Sequence, residues 1–504
     1  MRICFVSFYS DVNAYGVRLL SAQAKSAGYE SHILFIPTHE ANIRLKQVDY
    51  KSGVDSRTLE IARDFLKDFE IVALSLMSAY HFTAERLVNL LKPKFSGLIM
   101  CGGPHVTLFP DMVEPYSDVI VIGEADEIFP KILEKLRENK SLEGIPNVRC
   151  RDKATGGFVQ TPIEPPPCDL DIYPLPDFSL KNNWIVEGQK LLPLDFEIFK
   201  RRSRNIVVDG VTKYGYRTIT SRGCPHGCTY CTEPSIRHVT GEKRTVRRRS
   251  VGHVMAEIKQ VRRELPFVES ITFTDDDFFA RSLDDLREFA KAYKSEVGLP
   301  FICIGFPSSI TREKIEALVD AGATKFGMGV QTGSEKMAQI YNRPISFDRI
   351  VEISKVISFH KQVQPTAYDI IISAPYETED DRWQTVRLLA LLSRPFHINL
   401  YKFQPYLGSE LADRLISEGV LTKEQAFDAY QDAIGKVESN TPATMALNVF
   451  HETNSYFWLS LFWKLAPVLK RIRSRPLIKL FEKIAIYSFR SVRKLKGLIF
   501  KSKG

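Results

Sequence analysis

Two blocks of alternating strand and helix patterns, separated by a proline tract, limit what this chain can fold into. In the first block, short β-rich apolar runs at 3–7, 31–36, 71–76, 97–101 and 119–122 alternate with amphipathic stretches at 17–27, 56–69 and 83–91. Such alternation predicts parallel strands joined by crossover helices, an α/β doubly wound Rossmann-like sheet over residues 1–140. Residues 141–210 contain Pro162, Pro165, Pro166, Pro167, Pro174 and Pro176. Prolines of this density cannot sit inside helices or central strands, so an extended connector is expected there. From 211 to 410 the rhythm resumes, with strands at 217–220, 270–274, 301–305, 325–330, 368–373 and 398–403 and helices between them. About six βα units predict a partial (β/α)6 TIM-type barrel, with 411–504 as a helical C-terminal region ending in a basic amphipathic tail. In both architectures ligands bind at the carboxyl ends of the strands.

The end of the first barrel strand carries Cys224, Cys228 and Cys231 in a C-x3-C-x2-C spacing. Three thiolates can hold three corners of a [4Fe–4S] cubane and leave the fourth iron open to an exogenous ligand. Zinc is the other reading, with His226 or His238 supplying the fourth ligand that a tetrahedral site wants. Cys4, Cys101, Cys150, Cys168 and Cys303 share no framework spacing, and a chain of 504 residues needs no disulfide staples. No signal-peptide pattern and no run of about 20 apolar residues is visible, so a reduced, cytoplasmic enzyme is expected.

The string from Ser221 through Gly223-Cys224-Pro225-His226-Gly227-Cys228 to Cys231 resembles the signature of the radical S-adenosylmethionine (SAM) superfamily. Membership implies that the open iron chelates the amino and carboxylate groups of SAM, and that reductive cleavage of SAM yields a 5′-deoxyadenosyl radical. Three later strand ends extend the resemblance. The segment from Gly327 to Glu335 resembles the strand-five motif near the SAM adenine, and Thr274-Asp275-Asp276-Asp277 resembles the strand-two motif near its amino group. Ala374-Pro375-Tyr376-Glu377-Thr378 resembles the strand-six motif, with Ala in place of its first Gly. The implied SAM contacts are Asp275, Gly329, Gln331 and Glu335.

In the first block, Gly102-Gly103-Pro104-His105 and Ile122-Gly123-Glu124 resemble the cobalamin-binding domain that precedes the barrel in cobalamin-dependent members. Ser75, Gly102, Gly103 and His105 are the residues this resemblance gives to cobalamin. Paired glycines after a strand permit close backbone approach to a large flat ligand. The loop that reads D-x-H-x-x-G in cobalamin-dependent mutases here has Asp11, Asn13 and Gly16. A carboxamide is a poor cobalt ligand beside imidazole, so cobalamin is expected to lack a protein His on that face.

The leading expectation is a cobalamin-dependent radical SAM C-methyltransferase acting on an unactivated carbon of a lipid or other small molecule. A non-methylating radical SAM cyclase or oxidase with the same cofactors remains open, as does a non-catalytic metal-stabilised binding protein. No side chain is assigned a catalytic role. An electron donor such as flavodoxin or ferredoxin is expected, and no nucleic acid: the basic run 243–249 directly precedes a helix and reads as a solvated loop or a carboxylate-binding edge. Net charge is +9, yet residues 456–504 hold 13 cations and the single acid Glu482, a local +12. Leu477, Phe481, Ile484, Ser488, Val492, Leu495 and Ile499 recur there at helical spacing. Such a helix suits an anionic membrane surface, which places the protein peripherally on the inner membrane face; a helix pair docked on the barrel is the alternative.

Overall fold

The computed structural model describes residues 1–37, 54–152, 155–203, 205–208, 210–243, 246–343, 345–431 and 437–501. It divides into two compact units: Met1–Pro225 with Thr232–Asp275 and Ser295–Pro300, and His226–Cys231 with Asp276–Lys294 and Phe301–Gly504.

The first unit is built on a nine-stranded sheet. Its parallel strands are β1 (Arg2–Ser7), β2 (Glu30–Phe35), β3 (Ile71–Ser75), β4 (Leu98–Gly102) and β5 (Val119–Val121). Helices α1 (Tyr15–Ser26), α2 (Ser56–Leu66), α3 (His81–Leu91), α4 (Pro104–Leu108), α5 (Pro110–Val113) and α6 (Ile128–Arg137) intervene. The apolar runs of β1, β3 and β4 are buried almost throughout, as parallel strands covered by helices require. The chain leaves β1 for β2 on one side and returns to β3 on the other, so the switch point of the sheet lies beside the end of β1.

The stretch expected to be a connector adds four strands to this sheet: β6 (Val148–Arg151), β7 (Phe158–Gln160), β8 (Asn183–Glu187) and β9 (Lys190–Pro193). The order is β7-β6-β5-β4-β3-β1-β2-β8-β9. Proline dominates the sequence between 161 and 176, but the residues on either side of it extend the two edges of the sheet. Beyond them come α7 (Phe196–Arg202), the hairpin β10 (Ile206–Val208) and β11 (Val211–Lys213), and β12 (Gly215–Thr218). The pair β13 (Ser221–Arg222) and β14 (Arg247–Arg248) brackets α8 (Glu233–Val239). After α9 (Val251–Glu264), β15 (Ser270–Phe273) pairs in parallel with β12.

In the second unit, α10 (Leu283–Glu296) precedes four parallel strands paired in chain order: β16 (Phe301–Gly305), β17 (Ala323–Gln331), β18 (Thr366–Ile372) and β19 (Phe396–Lys402). Their helices are α11 (Arg312–Asp320), α12 (Glu335–Ile340), α13 (Phe347–Phe359) and α14 (Glu379–Leu391), followed by α15 (Glu410–Ser417) and α16 (Lys423–Gln431). Three helices close the chain: α17 (Pro442–Thr453), α18 (Tyr456–Leu469) and α19 (Arg475–Lys501). Among the described residues no helix is long and apolar enough to cross a membrane.

Gly103 illustrates how tightly the carboxyl edge of the first sheet is built. It has φ +107, and a Cβ there would lie 2.7 Å from the Leu76 carbonyl oxygen. The missing side chain makes room for the chain's own backbone, where Leu76 N–H donates to Gly102 O at 2.9 Å and His105 N–H donates to Leu76 O at 3.2 Å. Gly103→Ala is expected to cost about 1–3 kcal/mol of stability, read as a lower urea midpoint; an unchanged midpoint contradicts this account of the turn.

Candidate functional site

The cysteine loop has little regular structure, so its backbone must find partners elsewhere. In the second unit these come from the end of α12 and the residues just past it. Thr229 N–H donates to Tyr341 O at 3.2 Å, and its hydroxyl donates to Ile340 O at 2.7 Å. The Asn342 amide donates to Gly227 O at 2.7 Å, and Leu411 N–H donates to Thr229 O at 2.8 Å. Cys231 N–H closes a turn onto Cys228 O at 3.1 Å.

Arg343 completes the clamp. It is 4% exposed, and its Nη1 donates to Cys228 Sγ at 3.3 Å and to the Tyr230 hydroxyl at 2.9 Å. Nη2 donates to Gly329 O, and the guanidinium lies 3.9 Å from the centroid of the Phe306 ring. Among the described residues no carboxylate pairs with it, and its Nε has no partner. A buried cation lacking an acid is costly unless negative charge reaches it from another source. A thiolate at Cys228 is such a charge. Burial and the neighbouring Cys228 push the Tyr230 phenol well above its ordinary value, against Arg343, so it stays protonated.

Asp277 grips the loop at its other end. His226 Nε2 and Asp277 Oδ2 are 2.8 Å apart, and the imidazole stacks on Phe306 with centroids 3.7 Å apart. Phe279 N–H, Phe306 N–H and the Ser309 hydroxyl also donate to this carboxylate. These contacts engage His226 through its Nε2 and its ring face. Among the described residues, no three His, Cys, Asp or Glu side chains come close enough to hold a single metal ion. A cubane does not require that closeness, because each thiolate binds a different iron. Three soft donors in this spacing, one of them facing an unpaired guanidinium, fit a cluster.

Asp275, expected near the SAM amino group, accepts from Thr220 N–H at 3.1 Å, Thr220 Oγ1 at 2.6 Å and Ser221 Oγ at 2.5 Å. With its carboxylate so engaged, it positions the strand end that delivers the loop. Gly329 and Gln331 lie together at the end of β17: Gln331 has φ +68, and a Cβ on Gly329 would meet its amide at 2.8 Å. Glu335 opens α12 with an exposed side chain, whereas Gly329 and Gln331 are half-buried. Ser334, next to it, donates to Asp381 at 2.5 Å, and Gly333 N–H donates to Thr385 Oγ1 at 2.9 Å, which locks the strand-five motif onto α14. Burial works to raise the Asp381 carboxyl, but hydrogen bonds from Ser334 and Thr378 pull it down to about 2.

In the first unit, Ser7, Ser75 and Gly102 lie in register at the ends of β1, β3 and β4. A Cβ on Gly102 would meet only Val121 at ordinary contact distance, so this glycine is open where Gly103 is not. His105 is buried, its Nδ1 is 3.0 Å from Ser78 Oγ, and its Nε2 has no partner. Burial first and His81 second pull its pKa down to about 3, so the ring is neutral. Asn13 is fully engaged: its amide nitrogen donates to Asp11 at 2.6 Å and its oxygen accepts from Arg217 N–H at 3.1 Å. Buried Arg18 holds the same loop by donating to Val12 O.

Glu124 is held by two arginines. It accepts from Arg222 at 2.7 Å and from Arg247, while Asp126 takes Arg222 in a two-point grip at 2.7 and 2.9 Å. Within the basic run, Arg247 and Arg249 are buried against Glu124, Glu242 and Glu257, while Lys243 and Arg248 are exposed; residues 244–245 lie outside the described residues. Asp277, Arg343 and this ion network escape sequence reasoning; the one available signal is that each lies within a few residues of a recognised motif.

Two family models match the chain, the B12 binding domain over residues 1–133 and the Radical SAM superfamily over residues 218–389. The chain carries a B12 binding domain and a radical SAM domain. It is 25% identical over 378 residues to cytidylyl-2-hydroxyethylphosphonate methyltransferase of Streptomyces wedmorensis, covering 68% of this chain and 65% of that one. It therefore spans slightly less than two thirds of that relative. Similarity to bacteriochlorophyllide d C-8(2)-methyltransferase of Chlorobaculum tepidum is 20% over 71% of this chain and 70% of that protein. Among solved structures, the methyltransferase TsrM of Kitasatospora setae, with cobalamin and a [4Fe–4S] cluster bound, has a TM-score of 0.61 at 15% identity, over 83% of this chain and 78% of that one. OxsB, with aqua-cobalamin and SAM bound, has a TM-score of 0.56 at 15% identity, over 85% of this chain and 56% of that one. At these identities the structural likeness concerns the fold.

In this radical SAM protein, Glu377 of the strand-six motif is buried; it accepts from Ser373 N–H at 2.6 Å and Arg382 at 3.1 Å. Burial, against the pull of Arg382, raises its carboxyl to about 7. A carboxyl whose folded value exceeds its unfolded one holds its proton more tightly when folded. Its contribution to stability is complete below the ordinary carboxylate range and is lost as pH rises through about 7. Glu377→Gln is expected to flatten the decline in unfolding midpoint between about pH 5 and pH 7; an undiminished slope assigns the dependence to other groups.

Proposed function

We propose that this chain is a cobalamin-dependent radical SAM enzyme that methylates an unactivated carbon of a lipid or other small molecule. The observation that carries the reading is the presence on one chain of a B12 binding domain and a radical SAM domain. When bound, the cluster, SAM and cobalamin together supply radical formation and methyl carriage.

The chain's own residues bind and position these groups. Cys224, Cys228 and Cys231 are the proposed cluster ligands, with Arg343 balancing the charge at Cys228 and Asp277 and Asp275 holding the ends of the loop. Gly329 and Gln331 lie on the proposed SAM side, where backbone and carboxamide groups can meet the adenine; Asp275 and Glu335, the latter exposed at the start of α12, are the further proposed SAM contacts. Ser75, Gly102, Gly103 and His105 mark the proposed cobalamin edge, and the unpartnered His105 Nε2 is a polar atom available there. A flavodoxin or ferredoxin is the proposed electron donor. The protein is placed in the cytoplasm, peripherally on the inner membrane face, where its basic tail meets anionic lipid.

Replacing Cys224, Cys228 or Cys231 with Ala is expected to abolish 5′-deoxyadenosine release by anaerobically reconstituted protein, while full release by all three variants rejects the ligand assignment. With SAM labelled in its methyl group, the product should gain the labelled methyl; an unlabelled, oxidised or cyclised product instead selects the non-methylating reading. Because Asn13 is engaged within its own loop, EPR of bound cob(II)alamin should show no hyperfine coupling to a protein imidazole nitrogen, and such coupling would overturn the ligation claim.

A further inference from the structure

The helix α19 carries two apolar faces, and only one of them holds it to the protein. It packs on α17 with Ile478 and Ala485 buried. On a different face, Leu477, Leu480, Phe481, Ile484 and Tyr487 follow one another at i, i+3, i+4, i+7 and i+10, and all are exposed, Ile484 at 51% and Tyr487 at 65%. It shares Leu477, Phe481 and Ile484 with the stripe the sequence pattern picks out, which continues in the sequence through Ser488 to Val492, Leu495 and Ile499; the side chains of these last three lie outside the described ones. Docking of the helix therefore leaves the stripe facing outward, and packing on α17 does not explain it.

Lys479 and Lys483 are exposed along one flank of the stripe, next to Leu480 and Tyr487 in helical projection. Arg490, on the same flank, reaches Glu452 at 3.4 Å, while Glu482, the tail's one acid, is half-buried. A second copy of the chain would bring one tail of charge +12 against another, so like-charge repulsion opposes self-association through this face. An anionic bilayer satisfies both features, burying the stripe among acyl chains while lipid phosphates meet the flanking lysines.

We propose that the Leu477–Leu480–Phe481–Ile484–Tyr487 face of α19 is the surface that inserts into the headgroup region of an anionic membrane. This deepens the peripheral placement proposed above and rests on it, though not on the methylation reaction. The test is sedimentation of the full-length protein with vesicles of phosphatidylglycerol and phosphatidylcholine, and with phosphatidylcholine alone. Wild type should bind the anionic vesicles and release with salt, while Phe481→Glu and Ile484→Glu should each weaken binding on the order of tenfold. Both side chains are exposed, so the unfolding midpoints should be unchanged. Absence of wild-type binding to anionic vesicles overturns the peripheral placement and this inference together. Wild-type binding that both variants retain in full overturns the face assignment alone. A concentration-dependent dimer that the variants dissociate, without vesicle binding, assigns the stripe to self-association and overturns the proposal.

Discussion

A loop that offers three thiolates within eight residues has no room for secondary structure of its own, and its buried backbone groups must be satisfied from outside. That constraint organises the second unit. The segment Ile340 to Arg343 supplies two carbonyls, an amide and a guanidinium to the loop, and its place is fixed in turn by the strand-five motif and α14. Gly333 belongs to this chain of dependence. A Cβ there would meet Thr385 Cα at 2.6 Å, so only glycine lets the motif seat against α14 closely enough for the Ser334–Asp381 bond. The motif's glycines thus serve packing as much as cofactor contact.

Electrostatics follow the same logic. Among the described residues Arg343 is buried without a carboxylate, whereas Arg222, Arg247 and Arg249 in the first unit are each matched to acids. A fully paired buried network is tolerated because every charge has its counterpart, and it fixes geometry even when it adds little net stability. Arg18, also buried without an ion pair among the described residues, spends its donors on the backbone carbonyls of Val12 and Asp177, whereas Arg343 places one of its donors on a thiol sulfur, where negative charge can meet it. Hydrogen bonds and positive charge near cluster sulfurs are among the levers that set a cluster's potential, so Arg343 stands where the protein can tune it.

The legible parts of this chain were those written in local periodicity. Strands such as β1, β3 and β16 are short, mostly apolar runs, and the observed bounds of β16 coincide with the expected 301–305. Strands β8 and β9 were not legible, because their pairing depends on the edge at β2, far away in sequence, while the nearby prolines argued locally for an extended connector. The three consecutive aspartates pose a finer problem. Asp275 turns to Thr220 and Asp277 to His226, and no spacing rule assigns those partners. For α19 the 3.6-residue period shows amphipathicity, but which of two apolar faces docks is decided by α17, and the larger side chains were left outside.

The central claim is that the supported loop holds a cubane with one open iron. Mössbauer spectroscopy of full-length protein reconstituted anaerobically with isotopically enriched iron tests it directly, with and without SAM. The account predicts a single [4Fe–4S] species in which the signal of one iron site changes when SAM is added. Spectra insensitive to SAM, or a preparation that takes up zinc in place of iron and shows no cluster, would contradict it.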